Sequence, residues 1–174
     1  MHKHKKVLLA INLLGGTAVL GSYAHGLFWS DLGNAFWGNV PEGLKPIYTV
    51  SMLAATLGYF AFSAYLLRVD AERALFLGRF SFSLINNLLV AILAASALWM
   101  PLTAAFIQEP SELLWWGIRL VLLITGAASL ALLAAIASSI EDWSPLRVVA
   151  VAGVIAFCFQ TAVLDALVWP YFFR

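Results

Sequence analysis

Four side chains carry reactive chemistry and are placed so that they could assemble one cluster: His25, Glu112, Arg119 and Asp165. An imidazole, two carboxylates and a guanidinium offer proton exchange, ion pairing or capture of a charged ligand. Asp165 poses the sharpest question. It lies with Gln160 in "FCFQTAVLDALVWPYFF", residues 157–173, which is otherwise almost wholly apolar. Spacings that mark soluble enzymes are missing: the chain has no HExxH, P-loop, GxGxxG, GxSxG or CxxC pattern. His2, His4 and His25 divide between the two ends of the first apolar run and make no metal site. The single cysteine, Cys158, can form no disulfide within the chain.

The elements that must position these residues follow from composition. Of 174 residues, 63% are hydrophobic and 11% charged, against the ~25% charge of an ordinary soluble domain. That excludes a water-exposed globule and makes the chain an integral membrane protein. A net charge of +1 gives no footprint for nucleic acid. A helix needs roughly 20 apolar residues to cross the bilayer, and five windows supply them: about 7–27, 46–67, 80–103, 113–137 and 147–170. Pro41, Pro46, Pro110 and Pro145 fall at or near the breaks, where a missing N–H is tolerated. The expected fold is therefore all-α, a single five-helix transmembrane bundle over residues 1–174. Residues 1–24 also resemble a cleavable signal peptide, but their apolar run is long for one, and the first span is retained.

Orientation follows from the flanking cations. Lys3, Lys5, Lys6, Arg68, Arg73, Arg79 and Arg147 gather on one face, and Lys45 and Arg174 on the other. The positive-inside rule then puts the N-terminus in the cytoplasm and the C-terminus outside. Economy of length and the charge bias suggest a bacterial cytoplasmic membrane.

Depth then groups the polar residues. Arg119 and Asp165 lie at similar heights in the outer half. A lone charge there costs at least ~2.5–3.5 kcal/mol, so the two are expected to pair or share a polar network that His25 could join. Such a pair could equally staple helices, and Arg119 could snorkel to the headgroups. Asn12, Asn86 and Asn87 share a depth near the cytoplasmic side, where cross-helix amide hydrogen bonds are their expected use. Six tryptophans, Trp29, Trp37, Trp99, Trp115, Trp116 and Trp169, lie toward the outer side, and Trp143 alone lies inside. Belts normally decorate both interfaces. The imbalance points either to an aromatic recess for a flat apolar ligand or to a one-sided belt with an aromatic cap. The connection 28–45, with Phe28, Trp29, Phe36 and Trp37, is expected to lie on the bundle or in the outer interface. "GGTAVLGS" and the Ala127–Ala131–Ala135 spacing would permit close helix approach, within the bundle or at a dimer face.

Several short motifs resemble the tryptophan-rich sensory and translocator (TspO/MBR) family. "PIYTVSMLAATLGYFAF" opens on Pro46, Ile47 and Tyr48 and carries Gly58-Tyr59. "SALWMP" keeps Trp99 and Pro101 but has Ser96 where that family has asparagine. "LDALVW" keeps Leu164, Val168 and Trp169, with Asp165 in place of asparagine. The family's Trp-x-Pro-Pro after the first helix is missing. The resemblance implies a cavity open toward the long first loop, a tetrapyrrole ligand such as haem or protoporphyrin or a sterol-like lipid, and a homodimer. The expectation is thus a binding or sensing protein rather than an enzyme. Trp37, Tyr48, Trp99 and Trp169 would supply stacking surface, and Arg119 and Asp165 the polar spot. The alternative is an accessory subunit of a larger membrane complex, whose polar residues only fix helix packing.

Overall fold

The structure, a computed structural model, describes residues 3–26, 32–140 and 143–173. Five helices are long and apolar enough to cross a membrane: α1 (Lys3–Ala24), α2 (Lys45–Arg68), α3 (Ser83–Gln108), α4 (Glu112–Ala137) and α5 (Pro145–Phe173). No strand forms among the described residues beyond an isolated Phe76–Phe80 bridge. A helix satisfies its backbone polar groups internally, which a span in hydrocarbon must do. The chain is an integral membrane protein of five such helices. His2, Phe28, Trp29 and Arg174, which entered the sequence reading, lie outside the described residues.

Local sequence explains the helix starts. Pro46 and Pro145 occupy the first turns of α2 and α5, where an N–H has no partner to lose. Ser111 and Ser144 cap α4 and α5, their hydroxyls accepting from the N–H of Leu114 and Arg147. Residues 80–82 precede α3, because Phe80 pairs with Phe76 in a short hairpin. Nor does every proline mark a boundary, since Pro101 lies inside α3.

The helices pack in the order α1, α3, α4, α5, α2. A hydrogen bond closes the ring: the Tyr59 hydroxyl donates to Asn12 Oδ1 at 2.6 Å, joining α2 to α1. Asn86 Nδ2 donates to the His4 carbonyl at 3.4 Å, while Asn87 is exposed. Of the residues the spacing singled out, Gly15 packs tightly against Leu93 of α3 and Ala135 is buried, while Gly16 and Gly21 meet nothing within 4 Å. Ala127 is exposed, whereas Gly126 packs against Ala162 of α5 and Gly58 against Gly153.

Two ends now differ in character. At the N-terminal end of α1, the connection between α2 and α3 tucks Phe76 and Phe82 into the bundle, both with no exposed surface. Leu77 and Gly78 at its turn have φ of 51° and 71°. That left-handed conformation costs a leucine about 1–2 kcal/mol, and Asn-Gly is the favoured pair for such a turn. Leu77→Asn should therefore raise stability by about 0.5–1 kcal/mol, read as a higher unfolding midpoint in detergent.

Arg147 lies at this same end but not as a flanking surface charge. It is 2% exposed. Its guanidinium donates to the carbonyls of Ile136 (3.3 Å), Ala137 (2.9 Å) and Ser139 (2.9 Å), closing the C-terminus of α4. The Trp143 ring covers it at 4.2 Å.

Candidate functional site

The opposite end of the bundle gathers the aromatic residues. Trp37, Tyr48, Trp99 and Trp169 belong to one hydrophobic cluster with Trp115 and Phe173. Trp99 meets Trp169 edge-on at 5.7 Å, Trp37 meets Tyr48 edge-on at 5.9 Å, and Trp169 stacks on Phe173 at 4.1 Å. Edge-to-face and offset contacts at these distances are the preferred aromatic geometries. Trp116, by contrast, is exposed on the outside of α4.

The connection before α2 closes this end as a cap. Phe36 and Val40 are buried, and the Trp169 indole N–H donates to the Phe36 carbonyl at 2.9 Å. Asn39 N–H donates to the Phe172 carbonyl at 3.0 Å. Gly38 has φ of 54°, and a Cβ there would come within 2.9 Å of the Phe173 backbone. Glycine is thus required twice, for its torsion and for its lack of bulk. The cap lies on the bundle, as its aromatic content implies, and is tied to the end of α5.

A π-helical stretch in α5, Phe159–Val168, positions the polar group beneath these rings. Residues five apart fall about 140° apart on an α-helix. The wider i→i+5 turn brings them near one face. Gln160 and Asp165 are therefore neighbours, and Gln160 Nε2 donates to Asp165 Oδ1 at 2.7 Å. Helix α4 grips the same stretch: Ser129 shares a 2.8 Å hydrogen bond with Thr161, and Gly126 leaves room for Ala162. π turns concentrate at functional sites, where a local departure from α geometry re-aims side chains.

The phenols of Tyr23 and Tyr48 lie within electrostatic reach of Asp165. Tyr48 also donates to the Leu164 carbonyl at 3.1 Å, on the residue just before it. Tyr23 contacts Trp99, ring to ring, at 5.7 Å. Two buried polar atoms in this region have no partner, Trp99 Nε1 and Gln160 Oε1. Such atoms are rare in folded proteins.

The structure corrects one expected pairing. Among the described residues no ion pair joins Arg119 to Asp165. Asp165 is half-buried and takes the amide of Gln160 instead. Arg119 is half-buried on α4, one residue beyond Ile118, which faces the aromatic cluster. His25 is exposed at the end of the first span, and Glu112 lies exposed in the first turn of α4. The reactive quartet therefore does not come together around Asp165. Gln160 and Tyr23 take their places. Tyr23 could have been found by counting depth along the first span, but Gln160 could not, because its approach to Asp165 depends on the π turn.

Two recesses lie outside the aromatic cluster. One, of about 470 Å³, runs between α2 and α5 and is lined by Ile47, Val50, Ser51 and Phe159 among others. The other, of about 480 Å³, lies at the Arg147 end between Tyr65, Val69 and Pro145. No group of three or more potential metal ligands occurs among the described residues. Set against models of known protein families, against curated proteins and against solved structures, this chain matches none.

Proposed function

We propose that this chain is a multi-pass membrane protein that binds or senses a flat, hydrophobic ligand, of tetrapyrrole or sterol-like shape, at its aromatic end. One observation carries the reading: Tyr48, Trp99 and Trp169 converge beneath a cap that carries Trp37, beside a π-helical stretch that presents Asp165 and Gln160. Trp99 Nε1 and Gln160 Oε1, buried there without a partner, offer a donor and an acceptor that a bound ligand could engage. The rings now pack against one another, so a ligand would exchange its faces for theirs and lift the cap held by Trp169. The flank charges support an orientation in which this end faces away from the cytoplasm, in a bacterial inner membrane.

The test is a titration of the purified protein in nanodiscs with protoporphyrin IX and haem, read by tryptophan quenching. Saturable binding in the micromolar range or tighter is expected. Trp99→Phe should weaken it about three- to tenfold, the worth of one aromatic contact. No saturable quenching by either compound, with Trp99→Phe indistinguishable from wild type, would remove the reading and leave an accessory subunit as the better account.

A further inference from the structure

The polarity of the aromatic end narrows the ligand further, and this step rests on the binding reading above. Asp165 spends one oxygen on Gln160, and no lysine, arginine or histidine among the described residues forms an ion pair with it. Gln160 is 5% exposed, and its carbonyl oxygen has no hydrogen-bond partner. The local surplus is thus of acceptors: a carboxylate oxygen and an amide oxygen on one face of α5. Around them stand rings. Tyr23 touches Trp99, Trp99 touches Trp169, and Tyr48 bonds to the carbonyl of Leu164 beside Asp165.

Aromatic faces carry negative charge density and attract cations. A carboxylate beside them adds a full charge of the same sign, and low polarity strengthens both effects. An anionic group placed against Asp165 would meet repulsion from the carboxylate and from the ring faces, with Arg119 not paired there to offset it, so the propionates of a tetrapyrrole would have to face away from Asp165. A protonated amine would satisfy both acceptors, although it offers nothing to the unpartnered Trp99 indole N–H. Its N–H groups would donate to Asp165 and to the Gln160 carbonyl, and its apolar body would lie against Trp99 and Trp169.

We propose that the aromatic end recognises apolar ligands bearing a protonated amine, with Asp165 and Gln160 as the acceptors and the tryptophan and tyrosine rings as the cage.

The experiment uses three compounds with one flat body: 1-pyrenemethylamine, 1-pyrenemethanol and 1-pyreneacetic acid. Each is titrated into the full chain in nanodiscs, with tryptophan-to-pyrene energy transfer as the readout and empty nanodiscs subtracted. The amine should bind about tenfold more tightly than the alcohol, and the acid more weakly than either. Asp165→Asn, which keeps the shape of the side chain, should abolish the advantage of the amine over the alcohol. Gln160→Leu should reduce the amine preference by a smaller factor. Equal affinities for amine and alcohol, or tightest binding of the acid, would overturn the cation proposal while leaving a binding site in place. Retention of the amine preference in Asp165→Asn would also overturn it. Failure of all three compounds to saturate would overturn this proposal, and the binding reading beneath it would fall only if protoporphyrin IX and haem also gave no saturable quenching. Should Asp165→Asn not fold, the wild-type ranking alone decides.

Discussion

Gly58→Ala should pry α2 from α5 and cost about 3 kcal/mol or more, at the upper end of what overpacking a tight interface does. A Cβ at Gly58 would sit 2.9 Å from the Gly153 Cα and closer still to the Gly153 carbonyl oxygen. These are backbone atoms, so no rotamer change relieves the overlap, and the helices must separate along their length. Gly153→Ala should behave alike, because its Cβ would meet the Gly58 Cα at 2.8 Å. The double variant should lose clearly less than the sum of the two, since one separation accommodates both methyl groups. Gly16→Ala is the control, because nothing lies within 4 Å of a Cβ there. Unfolding in mixed micelles by increasing fractions of a denaturing detergent measures all four. A near-neutral Gly58→Ala would mean that α2 and α5 do not touch through these glycines.

Arg147→Met should be comparably damaging, by about 3 kcal/mol, because it strands buried acceptors rather than a surface charge. Three carbonyls, of Ile136, Ala137 and Ser139, lose a charged donor at the negative end of α4. The side chain is 2% exposed, so water does not readily replace it. Arg147→Lys should recover only part of the loss, since an ammonium lacks the planar fork that reaches several carbonyls and stacks on Trp143. Besides the unfolding midpoint, limited proteolysis of the connection between α4 and α5 should accelerate in Arg147→Met. A variant that is wild-type in both measurements would show that the cap contributes nothing.

These two sites also mark what composition could and could not convey. The five spans were legible because hydrocarbon demands long uninterrupted apolar runs, and the cap because Phe36 and Trp37 are unsuited to a solvated loop. Arg147 was not legible as a helix cap. Counting flank cations treats every lysine and arginine alike, and only the positions of the α4 carbonyls separate this one from Arg73, which lies at the surface. The tryptophans pointed to the end of the bundle where an aromatic cluster forms, but the pairing of Arg119 with Asp165 did not form. Depth along a helix says nothing of azimuth, and azimuth decides whether two charges meet. The π stretch has no signature in composition, and on an ordinary α-helix residues 160 and 165 would lie about 140° apart.

The hairpin that seals the Arg147 end bears on what the protein can do with a ligand over time. Phe76 and Phe82 are wholly buried there, beside the recess between Tyr65, Val69 and Pro145. On the binding reading proposed above, a molecule held under the cap would have to displace both packed rings to leave past the hairpin, so exchange through the cap would be the less costly route. A protein built so would be better suited to reporting or buffering a compound than to moving it across the bilayer.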